Sequence, residues 1–311
     1  MPLYSIIIPT YNRATFLREA LASVWAQTFQ DYEVIVCDDG STDDTSKVLA
    51  DCGDRITVVR TQRQGPAAAR NAAAAVACGA YLTCLDSDDT WLPWTLASIN
   101  ETVQKYGPTC LVYMIRTPME TTLTRTWVNT ELKTECYPDF IAAPTYASHA
   151  ASLIGAIPRA LFMKSEGFHQ GLITDEDLDL LLRIGSHIPY ILITEPVTML
   201  HRSHQGNTSN NIALLYESSL RLLEEEFDKQ AYAGGAGRAH ARRSRLGNIF
   251  ARRCVKLAHA SQFQLALRLY FRALRPLVSA RRYGFILTFP PYVAARLGMA
   301  QWGGESLPTH E

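Results

Sequence analysis

The strongest constraint on what this chain can fold into is an alternation of two periods over its first 115 residues. Ser5–Ile8, Glu33–Cys37, Thr57–Val59, Tyr81–Leu85 and Cys110–Ile115 are short apolar runs, as strands covered on both faces require. Between them, Phe16, Leu17, Ala20, Leu21 and Val24 recur at helical spacing. Thr42–Ala50, the Ala-rich Pro66–Cys78 and Trp94–Lys105 also read as helices. Pro66 suits the first turn of its helix. Strands alternating with helices of this length build βαβ units on a mostly parallel sheet. Such sheets bind ligands beyond the carboxyl ends of their strands. Tyr11, Asp39 and Asp86 each follow a predicted strand, so three polar clusters should converge on one edge.

Further along, residues 116–150 are rich in Thr and Pro, show no period and read as a variable insert. Ile154–Ile157 and Ile191–Ile193 fit strands. Glu176–Ile184 fits a helix with Leu178, Leu181 and Leu182 on one face, and Ile212–Phe227 fits a charged helix. Seven Cys without a CxxC spacing argue for free thiols in a reducing compartment and against a zinc or disulfide framework. No window approaches the ~20 apolar residues of a membrane span. Met1–Ile6 lacks the features of a secretory leader, so a cytoplasmic location is expected.

The zero net charge conceals an asymmetry. Residues 1–228 carry 16 basic and 28 acidic residues, whereas 229–311 carry 14 and 2. The expected domains follow that division: one domain over 1–228, with halves meeting near 115/116, and a basic helical extension over 229–311. Within the extension, Leu246, Phe250, Cys254 and Leu257 form one helical stripe, and Phe263, Leu267, Tyr270 and Leu274 another. Such a block faces something negative, either an anionic membrane surface or the acidic remainder of the same chain. Arg268, Arg272 and Arg275 beside the second stripe suit an interfacial helix. No recognised nucleic-acid module appears, so nucleic acid is not an expected partner.

The polar clusters carry the chemistry. Asp86-Ser87-Asp88 places two carboxylates two residues apart at a strand end, where they could hold one hard cation such as Mg²⁺ or Mn²⁺, or cap a turn. Tyr11 offers a flat face to a nucleotide base, and Asp39 offers an acceptor to a ring N–H. Alternatively, Asp38-Asp39-Gly40-Ser41 is a tight turn with a helix cap. Gly65 permits close backbone approach, and the helix opening at Pro66 presents its N-terminus to an anion.

Four motifs in order complete a pattern. Ser5-Ile6-Ile7-Ile8-Pro9-Thr10-Tyr11-Asn12-Arg13, Cys37-Asp38-Asp39-Gly40-Ser41-Thr42-Asp43-Asp44-Thr45, Asp86-Ser87-Asp88-Asp89 and Asp175-Glu176-Asp177 resemble the family 2 glycosyltransferases. The resemblance covers about residues 3–210 and implies the GT-A fold, a Rossmann-like α/β sheet flanked by helices. It implies a nucleotide-diphosphate sugar donor held by Pro9, Thr10, Tyr11, Arg13, Asp39, Gly65, Arg70, Asp86, Ser87, Asp88 and Arg202. It implies Mn²⁺ or Mg²⁺ at Asp86 and Asp88, with His204 as a third ligand, and UDP as the commonest nucleotide. Asp177 takes the role of the base that accepts the proton of the acceptor hydroxyl, and Glu176 lies on the acceptor side. Leu181 and His201 stand where family members often have Trp and Tyr.

The expected reaction is an inverting transfer to a hydroxyl of a glycan or lipid-linked acceptor. There is no QxxRW after the base motif, a sequence that the processive synthases of the family carry, so one sugar per binding event is expected. Two other classes compete. A nucleotidyltransferase would show a Gly-rich phosphate loop after the first strand, and here no glycine precedes Gly40. A non-enzymatic scaffold subunit would tolerate losses at Asp86, Asp88 or Asp177, and all three are present.

Overall fold

The computed structural model describes residues 1–119, 131–144, 154–186, 188–204, 206–229 and 232–302. Parts of the insert expected over 116–150 lie outside them. The chain divides into two compact units, Met1–Asn207 and Thr208–Glu311.

The first unit is built on an eight-stranded sheet. In chain order its strands are β1 (Tyr4–Thr10), β2 (Tyr32–Asp38), β3 (Thr57–Arg60), β4 (Tyr81–Cys84), β6 (Leu111–Met114), β8 (Lys133–Tyr137), β9 (Ile154–Pro158) and β10 (Tyr190–Glu195). Across the sheet they run β3-β2-β1-β4-β9-β6-β10-β8. A small second sheet orders β5 (Thr90–Trp91), β11 (Met199–His201) and β7 (Arg116–Pro118). Every residue of β1 is buried, so its register is fixed by core packing. Ile6, Ile7 and Ile8 pair with Val34, Ile35 and Val36 of β2. Each such side chain contributes about 1.5–3 kcal/mol by leaving water.

Six of the eight strands run one way. The exceptions are β9, antiparallel to both β4 and β6, and β8, antiparallel to β10. The mixed α/β sheet agrees with the expected class. The insert, however, contains two strands that the sequence did not signal, β7 and β8, and β8 is an edge whose half-exposed Lys-Thr-Glu-Cys-Tyr has little apolar alternation.

Helices α1 (Ala14–Trp25), α2 (Thr45–Asp51), α3 (Pro66–Val76), α4 (Thr95–Tyr106), α5 (Arg159–Lys164) and α6 (Glu176–Ile184) complete the unit. The start of α1 takes its cap from another loop, because the Ala14 N–H donates to Asp43. Asn12 ties the same loops together. Its N–H donates to Ser41 Oγ at 2.9 Å, and its Oδ1 accepts from the Thr42 N–H at 2.7 Å. The loops after β1 and β2 are therefore tied together.

The second unit is helical: α7 (Ile212–Phe227), α8 (Gly235–His259), α9 (Phe263–Arg272), α10 (Leu274–Ser279) and α11 (Tyr283–Trp302). The boundary expected at 228/229 thus moves to 207/208. The physical reason is charge pairing. The acidic end of α7 belongs with the basic helices, and the buried Glu226 accepts from both Arg242 (2.7 Å) and Arg243 (2.9 Å) of α8. Where α8 crosses α10 at Gly247, a side-chain carbon would collide with the Pro276 carbonyl. Gly247→Ala is expected to destabilise this unit by about 1–3 kcal/mol, read by chemical denaturation. No helix among the described residues is long and apolar enough to cross a membrane.

Candidate functional site

The carboxyl ends of β1, β2 and β4 lie side by side, and the three polar clusters meet there as their sequence positions predicted. The Asp39 N–H donates to the Thr10 carbonyl, and the Leu85 N–H to that of Ile7. Pro9 and Thr10 are buried at the end of β1, and Tyr11 is partly exposed beyond them.

The paired aspartates after β2 divide their work. Asp38 accepts from the Ser41 N–H and closes the turn. Asp39 accepts from Thr61 Oγ1 (2.6 Å) and from the N–H groups of Gln64 (2.8 Å) and Gly65 (2.7 Å). It staples the 61–65 loop and sets Gly65, at φ 93°, at the start of α3. In the same loop Arg63 stands over the Tyr11 ring, 5.1 Å from its centre. Arg63 is absent from the expected site set. Its only sequence signal was its place just before Gln64-Gly65-Pro66.

Beyond β4, the three acids of Asp86-Ser87-Asp88-Asp89 have separate partners, and Ser87 is buried among them. Asp88 pairs with Arg13, and its Oδ2 lies 2.8 Å from His204 Nε2. The buried Asp89 lies 3.0 Å from His201 Nδ1 and accepts from the Arg202 N–H. Arg202 Nε donates to the Asp88 carbonyl, while its guanidinium covers Phe16 and pairs with Glu19. Residues 201–204 and the acidic motif, more than 110 positions apart, form one cluster. Asp89 and Phe16 hold it together, a role the linear motif did not reveal.

Asp86 goes elsewhere. Arg70, on α3, donates through Nη2 to Asp86 (2.6 Å) and through Nη1 to Glu176 (2.5 Å). Arg70 is only 7% exposed and Glu176 8%. Burial alone would lower the Arg70 pKa, but the two carboxylates outweigh it and hold the guanidinium firmly charged. Burial pushes Glu176 up, against the pull of Arg70. Arg70 is thus a buried bridge between two carboxylates, and Glu176 faces it. Phe168 lies under Arg70 at 5.5 Å, held by two hydrogen bonds with Asn71.

Asp177 sits one residue past the bridge, in the first turn of α6. It is partly buried, and its Oδ1 accepts from the Leu178 N–H at 2.7 Å. Burial, then the negative charges of Glu176 and Asp175, raise its pKa to about 7. Asp175 precedes it in the left-handed region at φ 65°, which turns the chain sharply into α6. A carboxylate poised near neutral pH beside the acidic motif is suited to accept a proton.

Comparison with known proteins bears on the fold that carries this arrangement. The model of "Glycosyl transferase family 2" matches residues 5–157. Curated relatives match over 87 to 104 residues, which is 13% to 38% of their own length. One is the UDP-Glc:alpha-D-GlcNAc-diphosphoundecaprenol beta-1,3-glucosyltransferase WfaP of Escherichia coli, 42% identical over 94 residues, 30% of this chain and 38% of that protein. Among solved structures, S. aureus TarS 1-349 in complex with UDP-GlcNAc superposes with a TM-score of 0.59 at 16% identity, over 94% of this chain and 92% of that one. The mannosyltransferase PcManGT from Pyrobaculum calidifontis, in complex with GDP-Man and Mn²⁺, gives 0.53 at 21% identity, over 98% and 88%. These likenesses establish the shared glycosyltransferase fold. With three polar clusters at one sheet edge and the fourth motif joined to them through Arg70, residues 5–157 match glycosyl transferase family 2.

Proposed function

We propose that this chain is an inverting glycosyltransferase that moves one sugar per binding event from a nucleotide-diphosphate donor to a hydroxyl of a lipid-linked or glycan acceptor. The observation that carries this is the Arg70 bridge, which ties the acidic motif after β4 to the helix bearing Asp177. One buried cation would thereby couple the proposed donor site to the helix that carries the proposed base. UDP-sugars are the first donor class to test, because the TarS complex holds UDP-GlcNAc and WfaP is named for UDP-Glc. WfaP is also named for a diphosphoundecaprenol acceptor, and that supports a lipid-linked one here.

In the proposed reaction the acceptor oxygen attacks the anomeric carbon as the bond to the diphosphate oxygen breaks. The hydroxyl proton passes to Asp177. A single displacement inverts the anomeric centre. On the donor side, Tyr11 and Arg63 frame the base, with Thr10 and Pro9 behind them and Asp39 and Gly65 shaping the loop. Arg13 and Arg202 bring positive charge to the diphosphate.

A divalent cation also fits this corner. Among the described residues no three His, Cys, Asp or Glu form a ready-made metal site. Mg²⁺ and Mn²⁺, however, are commonly held by one or two carboxylates completed by substrate phosphates. Asp88 and His204, already 2.8 Å apart, are the groups to hold it, with Asp86 kept by Arg70. The PcManGT complex contains Mn²⁺. When bound, the ion supplies positive charge to the departing diphosphate.

Calorimetric titration with a panel of nucleoside diphosphates, with Mn²⁺ and with chelator, tests the reading. Manganese-dependent binding of one diphosphate is expected, and Asp88→Ala should abolish that dependence. Failure of every diphosphate to bind would return the chain to the scaffold class. A lipid-linked acceptor would bring the enzyme to a membrane surface, with the basic extension over 229–311 as the part that meets it.

A further inference from the structure

Helix α11 is apolar on two opposite sides. One side packs within its own unit: Phe289 and Val293 are buried, and the Phe285 and Phe289 rings lie 6.2 and 5.6 Å from that of Tyr270. The Tyr270 hydroxyl fixes the helix by donating to the Ile286 carbonyl at 2.7 Å. The other side carries Tyr283, Leu287 and Ala294, which share one helical face and are all exposed, Leu287 by 75%. A helix that is apolar all round calls for a second apolar environment.

Exposed apolar side chains cluster in this stretch. Phe271 (60% exposed), Val278, Tyr283, Leu287 and Leu297 are half of the ten large ones exposed among the described residues. They are interleaved with the exposed Arg268, Arg272, Arg275, Arg281, Arg282 and Arg296. From Lys229 to Gly304 the sequence has no acidic residue. None of these cations answers a carboxylate on its own helices.

We propose that α9, α10 and α11 form a docking surface for an anionic lipid bilayer, with Leu287 and Tyr283 entering the headgroup–acyl boundary and the arginines meeting lipid phosphates. The charge complementarity selects this occupant. Cations ringing aliphatic and tyrosyl side chains match an interface that is anionic outside and hydrocarbon within. The helix lies on the bilayer rather than through it, because no helix of the described residues is long and apolar enough to span. The proposal deepens the lipid-linked acceptor reading and rests on it for its biological sense. The binding itself needs neither donor nor acceptor.

The test is co-sedimentation of the full chain with vesicles of phosphatidylcholine alone or mixed with phosphatidylglycerol. Binding at least about tenfold stronger to the anionic mixture is expected, weakening as salt is raised. Leu287→Glu should weaken it by about tenfold or more, since a side chain outside the core loses its apolar contact with lipid. Arg268→Glu with Arg272→Glu should remove the preference for anionic lipid. Unchanged circular dichroism establishes that both variants are folded. Equal binding to the two vesicle types, no binding, or an unaffected Leu287→Glu protein would overturn the proposal. So would self-association without vesicles that Leu287→Glu abolishes, since a second copy would then be the occupant. Transfer to a water-soluble acceptor separates the two readings. Transfer without vesicle binding removes only the docking surface, and vesicle binding without transfer removes only the enzymatic reading.

Discussion

Asp177→Asn is expected to lower turnover by about 10²–10⁴-fold while nucleoside diphosphate affinity stays within about twofold, because only the proton acceptor is lost. The wild-type rate should rise with pH and level off above about 7, where the Asp177 carboxylate is ionised. In the variant that rise should disappear. The same substitution carries a stability signature of opposite sign. In the folded protein Asp177 holds its proton up to about pH 7, well above its ordinary value of 3.8, so ionising it opposes folding. That cost is absent below about pH 4, grows between there and pH 7, and is constant above. Asp177→Asn should therefore match the wild type in denaturation at acid pH and exceed it at pH 8. Full transfer by the Asn protein would remove Asp177 from the base position.

The second large effect belongs to Arg70. Arg70→Met leaves Glu176 buried without its cation and Asp86 without its donor, and is expected to cost about 3–5 kcal/mol of stability. Adding Glu176→Gln removes the stranded charge and should recover a large part of that loss. Purely additive single effects in this double-mutant cycle would mean that the two side chains do not interact. Arg70→Lys should fall between, since an ammonium cannot grip two carboxylates with the fixed fork of a guanidinium. Asp177 stands next to the bridge, so these variants should also shift the pH at which transfer levels off. A residue with a purely scaffolding role would not move that value.

Much of this polar sheet edge was legible because strand ends and turn chemistry are local. Pro9-Thr10-Tyr11, Asp38-Asp39-Gly40 and Asp86-Ser87-Asp88 each close a short buried strand, and the sheet brings them together. What escaped was long-range pairing. Arg70 and Glu176 are separated by 106 positions, and nothing in either neighbourhood names the other. The sharing of Asp86 and Asp88 between Arg70 and the Arg13–His204 pair was hidden for the same reason. The double use of α7, acidic yet joined to the basic helices, is visible only once Glu226 is seen between Arg242 and Arg243. Strand β8 escaped because half-exposed edge residues do not need to be apolar.

The position of β9 has a consequence for how the chain is made. Its neighbours on either side, β4 and β6, are complete by Met114, but the strand that separates them spans Ile154–Pro158. A ribosome adding ~5–20 residues per second needs several seconds to cover that interval. Until then two buried-type strands have open edges, the situation in which nascent chains stick to one another. The matched family segment ends at residue 157, just within the strand that closes the gap. A cut placed near residue 115 would therefore yield an aggregating fragment, and the smallest piece worth expressing must run past Pro158.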